Sequence, residues 1–280
     1  MLTLRAPGAV ATIAPELGGR LASLVVGGHE LLVTAPARGD ASIRWGCYLM
    51  APWPGRLEGA RFAWHGDAVR LPPTHGRHAI HGLVWGRPWR VEAATETATT
   101  LACELPRAEW PMGGVVRQSF TLTAAGLVME ASVEAGDAMP AAIGWHPWFA
   151  RGDEPVRLRV DADSVQETRR MIPTGRTLPV AGRLDLRAGP LLGRRRLDHA
   201  YLSARSPATI EWPDLRVTLA FEPSPASLVV YTPTGAFCVE PQTASPNALA
   251  LPPAAARAAG VRFLEPGEVL SASMSFAWTL

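Results

Sequence analysis

Short runs in which apolar and polar residues alternate are the feature of this sequence that most constrains its fold. Clear runs of this kind occupy residues 117–123, 127–133, 156–160, 216–221 and 269–278. Alternation with a period of two places one face of a strand on a core and the other toward water or a second sheet. Gly and Pro, 26 of each, separate the runs along the whole chain. Short strands with frequent turn signals predict an all-β sandwich or barrel, and two large antiparallel sheets fit best.

Helical periodicity is scarce by comparison. Residues 252–260 form an alanine-rich stretch with prolines at its start and a glycine at its end, which predicts one or two helical turns. No internal repeat, low-complexity linker or shift in composition marks a boundary. We therefore expect a single domain over residues 1–280, a length at which all-β chains often remain one unit.

Composition excludes several kinds of chemistry. All 27 basic residues are arginine, so lysine Schiff bases, pyridoxal phosphate attachment and a phosphate-loop lysine are ruled out. The three cysteines, Cys47, Cys103 and Cys238, lie far apart with no CxxC pair. That spacing argues against a disulfide framework and against a structural zinc site. Each cysteine is expected to behave as a small buried apolar residue.

Charge and hydropathy bear on partners and location. The formal net charge is only +2, and no basic run is longer than residues 194–196, so nucleic acid is not an expected partner. Residues 1–19 lack the basic start and apolar run of a signal peptide. No stretch approaches 18 uninterrupted apolar residues, so no membrane partner is expected either. These observations predict a soluble cytoplasmic protein.

Residues 74–83 contain three histidines, His75, His78 and His81, at a spacing of three. On a strand, residues three apart point to opposite faces, and the glycines of this segment interrupt any helix. A three-histidine metal site is therefore not expected. A single working histidine fits better, since Gly82 after His81 would let a ligand approach the backbone closely.

Two further segments each place one ionisable residue in an apolar context. Residues 143–149 put His146 among aromatic side chains, where the apolar face of a sugar ring could stack; a core histidine in an aromatic cluster fits equally well. Glu240 ends an apolar run, and an acid in such a position is rarely buried without a partner or a task. Burial would raise its pKa toward the range of a general base. The alternative is an acid that caps a turn before Pro241.

Taken in order, these segments resemble the aldose 1-epimerase (mutarotase) family over most of the chain. The resemblance is carried by residues 52–62, 78–82 with 87–89, 144–149, 197–201, and 239–243 with 246–249. Each motif is weak alone, whereas five in the same order are specific. The resemblance implies the galactose mutarotase-like fold, a large antiparallel β-sandwich with few short helices and an open cleft on one sheet.

The resemblance also implies roles for individual residues. His146 matches the general acid, which protonates the ring oxygen, and Glu240 matches the general base, which takes the proton from the anomeric hydroxyl. Arg56, His81 and Asp198 match positions that contact the substrate. The implied partner is a small-molecule sugar, the implied assembly is a monomer or a homodimer, and neither a cofactor nor a metal is implied.

The sequence departs from the family pattern at two positions on the binding side. Gly55 stands where the family has Asn before the arginine, and Trp148 stands where a tyrosine usually follows the His-Pro pair. Trp148 is therefore a candidate sugar contact that lacks the phenolic hydroxyl. Both changes put glucose or galactose in doubt as the preferred sugar and leave the acid–base pair intact.

The leading hypothesis is a cofactor-independent isomerase that interconverts the α and β anomers of a free aldose. A hexose-6-phosphate 1-epimerase is an alternative, because a phosphate needs a cationic pocket and Arg56, Arg77 and Arg87 lie near the motif segments. A carbohydrate-binding protein without catalysis is another. A metal-dependent enzyme that uses one of the histidines in residues 74–83 is a third.

Overall fold

The computed structural model describes residues 1–35, 43–152 and 154–280. In chain order the first strands are β1 (Leu2–Ala6), β2 (Ala9–Ala14), β3 (Arg20–Val26), β4 (His29–Glu30), β5 (Cys47–Met50), β6 (Arg56–Leu57), β7 (Arg61–Trp64), β8 (Asp67–Arg70), β9 (Ala79–Ile80), β10 (Arg90–Ala94), β11 (Ala98–Glu104), β12 (Gly114–Leu122) and β13 (Gly126–Ala135). They are followed by β14 (Met139–Ala141), β15 (Gly144–Ala150), β16 (Arg157–Asp161), β17 (Ser164–Arg169), β18 (Ile172–Pro179), β19 (Asp198–Leu202), β20 (Arg205–Glu211), β21 (Arg216–Glu222), β22 (Ser227–Tyr231), β23 (Ala236–Gln242), β24 (Arg262–Leu264) and β25 (Val269–Thr279). The α-helix α1 spans Pro253–Ala258, and single 3₁₀ turns lie at Pro15–Leu17, Glu58–Ala60, Gly182–Leu184 and Ala248–Ala250.

Two large sheets contain most of these strands. One has 11 strands in the order β1-β2-β3-β5-β15-β23-β22-β19-β17-β18, with β4 beside β3. The other has 8 strands in the order β10-β11-β12-β13-β25-β21-β20-β16. The strand pairs β14–β24, β6–β9 and β7–β8 form small ribbons. Neighbouring strands in both large sheets pair antiparallel, which confirms the predicted all-β class with two large antiparallel sheets.

The predicted alternation is what builds the core. Along β13, Leu127, Met129, Ala131 and Val133 are buried, whereas Val128, Glu130 and Ser132 between them are more exposed. On the other sheet, Phe149 of β15 stacks on Phe237 of β23, with ring centroids 5.2 Å apart. Phe149 also meets Phe276 of β25 at 6.1 Å. The two sheets therefore pack face to face through apolar side chains, the arrangement of a sandwich.

Helical structure is as limited as the sequence predicts. The helix α1, Pro253–Ala258, lies inside the predicted stretch at residues 252–260. Among the described residues, none of the helices is long and apolar enough to cross a lipid bilayer.

The face of the 11-stranded sheet that is turned away from the sandwich core positions the site. Every residue of β23, and every residue of β15 except Ala150, is buried, although these strands carry polar side chains. One face of each strand packs into the core, while the other forms the floor of a pocket.

Candidate active site

His146 and Glu240 lie on adjacent strands of the 11-stranded sheet. The register of β15 with β23 pairs Gly144 with Gln242 and Trp148 with Cys238, which places His146 opposite Glu240. Alternate residues of a strand share a face, so 144, 146 and 148 point the same way as 242, 240 and 238. The opposite face of β15 holds the core residue Phe149. The sheet register therefore brings the two candidate residues together from distant parts of the chain.

The flanking strands extend the same face. Tyr48 of β5 pairs with His146, and Val229 of β22 pairs with Glu240. One step further, Tyr231 of β22 pairs with Asp198 of β19. Five central strands thus contribute one row of side chains each to a common surface.

The His146–Glu240 pair is buried and in direct contact. Nε2 of His146 lies 3.3 Å from Oε1 of Glu240, and the two side chains are only 5% and 3% exposed. Burial, with a further contribution from the charge of Asp198, raises the pKa of Glu240 well above its ordinary value, while a hydrogen bond from Gln242 opposes the rise. Burial, followed by the nearby His81, lowers the pKa of His146 well below its ordinary value. Both shifts favour the neutral forms of the two groups, and strongly perturbed pKa values in a pocket are typical of a functional site.

Three rings surround the imidazole of His146. Trp148 lies parallel to it, with centroids 5.1 Å apart and planes 2° apart. Tyr48 contacts it at 4.9 Å with a tilt of 31°, and His81 meets it edge-on at 5.0 Å. Trp148 thus contacts the candidate acid directly, besides facing the pocket.

His81 stands at a sharp turn directly after β9. Its own φ is +64° and that of Gly82 is +75°. The His81 N–H donates to the Gly55 carbonyl at 2.9 Å, and a Cβ on residue 82 would lie 2.1 Å from the Ala51 carbonyl oxygen. Only glycine permits this approach, and the group that Gly82 admits is the Ala51 backbone, not the ligand expected from the sequence. Burial, and then the charges of Arg56 and His75, lower the pKa of His81 to about 3, so this imidazole is neutral at physiological pH.

Arg56 and Asp198 line the same pocket. Arg56 is half-buried on the short strand β6. Asp198 begins β19; its surroundings desolvate the carboxyl and raise its pKa, while the charge of Arg56 acts in the opposite direction. The two side chains supply one cation and one anion to the pocket.

All six candidate residues line a single pocket. Its volume is about 280 Å³, near the lower end of the range for small-molecule sites. The candidate residues that it contains are Arg56, His81, His146, Trp148, Asp198 and Glu240.

Further lining residues were missed from the sequence. Gln242 donates to Oε2 of Glu240 at 3.4 Å, and its place two residues along the same strand was a usable signal. Tyr231 has a ring contact with Trp148 at 5.9 Å. One wall comes from the β17–β18 hairpin through Gln166, Thr168, Met171 and Pro173, and nothing in the local sequence marks that segment as functional.

The three histidines of residues 74–83 do not converge on one site. His75 and His81 line the pocket, whereas Nδ1 of His78 accepts a hydrogen bond from the Gly59 N–H at 3.1 Å outside it. Within residues 1–35, 43–152 and 154–280, one group could hold a metal ion, namely His146, Cys238 and Glu240, whose ligand atoms lie within 4.8 Å of one another. Burial raises the pKa of the Cys238 thiol well above its ordinary value, which disfavours the thiolate that a metal would need.

The departure at residue 55 has a local cause. Gly55 has a φ of +65°, and a Cβ there would lie 3.1 Å from Cβ of Pro246. Pro246 of the pocket wall therefore lies close to the backbone of Gly55, at the position where the family pattern has an asparagine side chain. The other departure, Trp148, fills the space beside His146 with a larger ring.

Comparison with known proteins identifies relatives along the full chain. A family model described as aldose 1-epimerase matches residues 1–277. The uncharacterized protein YphB of Escherichia coli K12 is 25% identical over 217 residues, which is 72% of this chain and 74% of YphB. A galactose mutarotase-like protein from Clostridium acetobutylicum superposes with a TM-score of 0.87 at 19% identity, covering 99% of this chain and 94% of its own. A GalM/aldose epimerase homologue from C. elegans gives a TM-score of 0.87 at 16% identity, with 99% and 98% covered.

Proposed function

The chain belongs to the aldose 1-epimerase family, and on that premise we propose that it interconverts the α and β anomers of a free aldose. His146 is the general acid and Glu240 the general base of this proposal. Arg56, His81, Trp148 and Asp198 orient the sugar. The fold and the family are established by the comparisons, whereas the reaction and the residue roles are proposed from the pocket.

Unpartnered polar atoms around the pocket are the observation that carries the proposal. Among the described residues, several buried polar atoms have no hydrogen-bond partner in the protein, and five of these belong to side chains that line the pocket: His81 Nδ1, His146 Nδ1, Trp148 Nε1, Gln166 Oε1 and Gln242 Oε1. Each such atom costs about 1–3 kcal/mol when it stays unpaired. A ligand with many hydroxyls both donates and accepts, so a sugar ring matches this mixed set of donors and acceptors.

The contact between His146 and Glu240 fits the two proton transfers that the reaction needs. The anomeric oxygen and the ring oxygen are bonded to the same carbon, so they lie close together and a pair at 3.3 Å can reach both. The pair lies side by side on one sheet face, and it therefore addresses the anomeric centre from one side. Each proton transfer of this kind typically contributes about 10²–10⁴-fold to the rate.

Ring opening takes one proton from the sugar and gives one proton back to it. Glu240 takes the proton of the anomeric hydroxyl, the carbonyl double bond forms, the bond from the anomeric carbon to the ring oxygen breaks, and His146 protonates that oxygen. The open aldehyde rotates about its first carbon–carbon bond, and closure reverses both transfers. The pKa shifts favour carboxylic acid with imidazole, and a proton passing across the 3.3 Å contact forms the reactive carboxylate with imidazolium. The step returns the pair to carboxylic acid with imidazole, so its net charge stays constant. Constant charge suits a site in which burial penalises any uncompensated ion.

Mutarotation of freshly dissolved α-glucose, α-galactose and a panel of pentoses tests the proposal by polarimetry or NMR. Wild type should be compared with His146→Ala and Glu240→Gln, each of which should lose most of the rate. His29→Ala is a control, because His29 pairs with Asp214 away from the pocket. Equal rates in wild type and both pocket variants would exclude the pair. A wild type that binds sugar without accelerating mutarotation would favour the carbohydrate-binding alternative.

A basic cleft beside the pocket favours a sugar phosphate as a second candidate substrate. The cleft adjoins the pocket at Pro173 and is lined by Arg77, His78, Arg169 and Arg170, with Glu58 as its acid. Arg87 does not line it, because its guanidinium pairs with Glu109 and donates to the Leu83 carbonyl. Rates with hexoses and their 6-phosphates decide between the two substrates, and a preference for the phosphate would overturn the free aldose.

A metal requirement is tested separately. Activity that survives exhaustive chelation excludes a metal-dependent reaction at the histidines of residues 74–83, whereas loss of activity with recovery on metal addition would support it.

A further inference from the structure

A row of side-chain contacts runs from the interior to the imidazole of His146. The guanidinium carbon of Arg20 lies 4.3 Å from the ring centroid of Trp45 and 5.2 Å from that of Tyr48. The Tyr48 ring lies 4.9 Å from His146, and the His146 ring lies 5.1 Å from Trp148. We call Arg20, Trp45, Tyr48, His146 and Trp148 the ring row. Its order places a buried cation one ring away from the candidate general acid.

Arg20 holds three separate segments at the end of this row. Its Nε donates to the Leu17 carbonyl at 2.7 Å, Nη1 to the Trp45 carbonyl at 3.2 Å, and Nη2 to the Trp85 carbonyl at 3.1 Å. The side chain is fully buried. Burial of a charge costs several kcal/mol, and the rigid fork of arginine is suited to fixing several acceptors at once. These bonds hold in place the backbone around Tyr48 on one side and the Trp85 segment that follows His81 on the other.

The imidazole of His146 has few polar contacts that could fix its orientation. Nε2 faces Glu240, while Nδ1 has no hydrogen-bond partner among the described residues. A working histidine is ordinarily oriented by a hydrogen bond on its second nitrogen. Here the neighbouring rings are the contacts left to define its plane.

We propose that Tyr48 and Arg20 are positioning residues for His146, which fix its ring plane so that Nε2 addresses Glu240 and the sugar ring oxygen. Tyr48 acts by direct ring contact, and Arg20 acts through Tyr48 and the backbone that it holds. The kinetic consequence rests on the proposed function, whereas the orientation of the imidazole does not.

The charge of Arg20 has a second effect on the same ring. The titratable and charged groups that face His146 are Glu240 and Cys238 from β23, Tyr48 from β5, His81 after β9 and, through Tyr48, Arg20 from β3. After burial and His81, Arg20 is a further cause of the lowered pKa of His146. Loss of this cation should raise the pKa of His146 and move upward the limb of the pH–rate profile that His146 governs, which a purely structural role would not do.

Kinetics with four variants and one control test the positioning role. Tyr48→Leu should lower kcat on the order of 10²-fold, the cost of a misplaced catalytic group, with KM within about threefold. Tyr48→Phe keeps the ring and should restore kcat. Arg20→Met should lower kcat and raise the limb governed by His146, and Arg20→Lys should restore that limb in part. Phe149→Leu is the matched control, because Phe149 is buried on the core face of β15, the strand that carries His146.

NMR of the His146 imidazole, assigned with His146→Ala, gives a readout that needs no activity. Tyr48→Leu should shift its ring resonances, whereas Tyr48→Phe and Phe149→Leu should not. The positioning role is overturned if folded Tyr48→Leu keeps the wild-type kcat and imidazole resonances, or if Phe149→Leu loses as much kcat. Equal losses in Tyr48→Phe and Tyr48→Leu would assign the effect to the hydroxyl and overturn the role of the ring. A wild type without mutarotase activity would remove the proposed function, and the NMR comparison would still decide the orientation of His146.

Discussion

Glu240 combines deep burial with a raised pKa, so it links stability to pH. Its ordinary value is 4.5, and the native pKa is well above this. Below pH 4.5 both the folded and the unfolded states hold the proton, so the carboxyl causes no loss of stability. As pH rises, the unfolded chain releases the proton first, and stability falls until the native pKa is passed.

Glu240→Gln should remove this loss, because glutamine binds no proton in either state. We expect wild type to lose stability relative to the variant from about pH 4.5 upward. Urea unfolding of both proteins from pH 4 to pH 9 measures the difference. A difference that is constant over this range would show that the carboxyl is not titrated differently in the native state.

Trp148 is expected to contribute both ring contact and an indole N–H. Trp148→Phe keeps an aromatic ring beside His146 and removes the buried donor Nε1, which has no partner in the protein. We expect KM to rise about fivefold to tenfold, equivalent to about 1 kcal/mol, while kcat stays within about threefold. Steady-state mutarotation over a range of sugar concentrations separates the two constants. A fall in kcat at unchanged KM would instead assign Trp148 to the orientation of His146 alone.

At the scale of the element, the sequence pattern predicted the strands that have one solvent-exposed face. The run at residues 127–133 became β13, and the run at 269–278 became β25, since alternation survives when one side is exposed. The strands β15 and β23 carry the proposed acid and base and are buried on both faces, so alternation cannot identify them. Motif resemblance located their residues where periodicity could not.

Alanine substitutions at Gly82 and Gly76 measure how tightly the turn at His81 is held by its neighbours. Gly82 and Gly76 both have positive φ, +75° and +60°, so an alanine at either position is strained. Only at Gly82 would the new Cβ meet backbone, 2.1 Å from the Ala51 oxygen, whereas nothing lies within 4 Å at Gly76. We expect Gly76→Ala to cost about 1–2 kcal/mol and Gly82→Ala more than about 3 kcal/mol.

Chemical denaturation of the two glycine variants measures these costs side by side. Gly82→Ala should also lower mutarotase activity, because relief of the clash displaces His81, whereas Gly76→Ala should not. Equal destabilisation of the two variants would mean that the His81 turn relaxes freely and is not held against Ala51.

At the scale of the whole molecule, the pocket is assembled from residues far apart in the sequence. His146, Glu240 and Asp198 meet because β15 and β23 are neighbours and β22 and β19 continue the same face, whereas Arg56 and His81 come from the β6–β9 ribbon and the turn after it. The sequence predicted these five residues through motif order alone, without their distances. The wall formed by the β17–β18 hairpin was not predictable, since its role depends on where the edge of the sheet comes to lie.

Binding of the sugar should stabilise the folded molecule whether or not it is turned over. A ligand at about 100 times its Kd adds about 2.7 kcal/mol to the free energy of unfolding. Glu240→Gln should keep a sugar-dependent rise in Tm if the other pocket residues supply most of the binding. Thermal unfolding with and without sugar measures this, and a non-binding stereoisomer is the control. A wild type that no tested aldose stabilises would contradict a sugar pocket.

The shared core leads us to expect that residues 1–280 unfold as one domain. Phe149 and Phe237 stack on each other within the 11-stranded sheet, and Phe149 meets Phe276 of the 8-stranded sheet across the sandwich. Neither sheet can therefore detach without exposing the apolar face of its partner. We expect a single cooperative transition, with coincident curves from far-ultraviolet circular dichroism and tryptophan fluorescence and equal calorimetric and van't Hoff enthalpies. Phe276→Ala should lower the midpoint of both curves together, because the side chain belongs to the common core. Two separated transitions, or a Phe276→Ala shift seen by only one probe, would show that the sheets unfold independently.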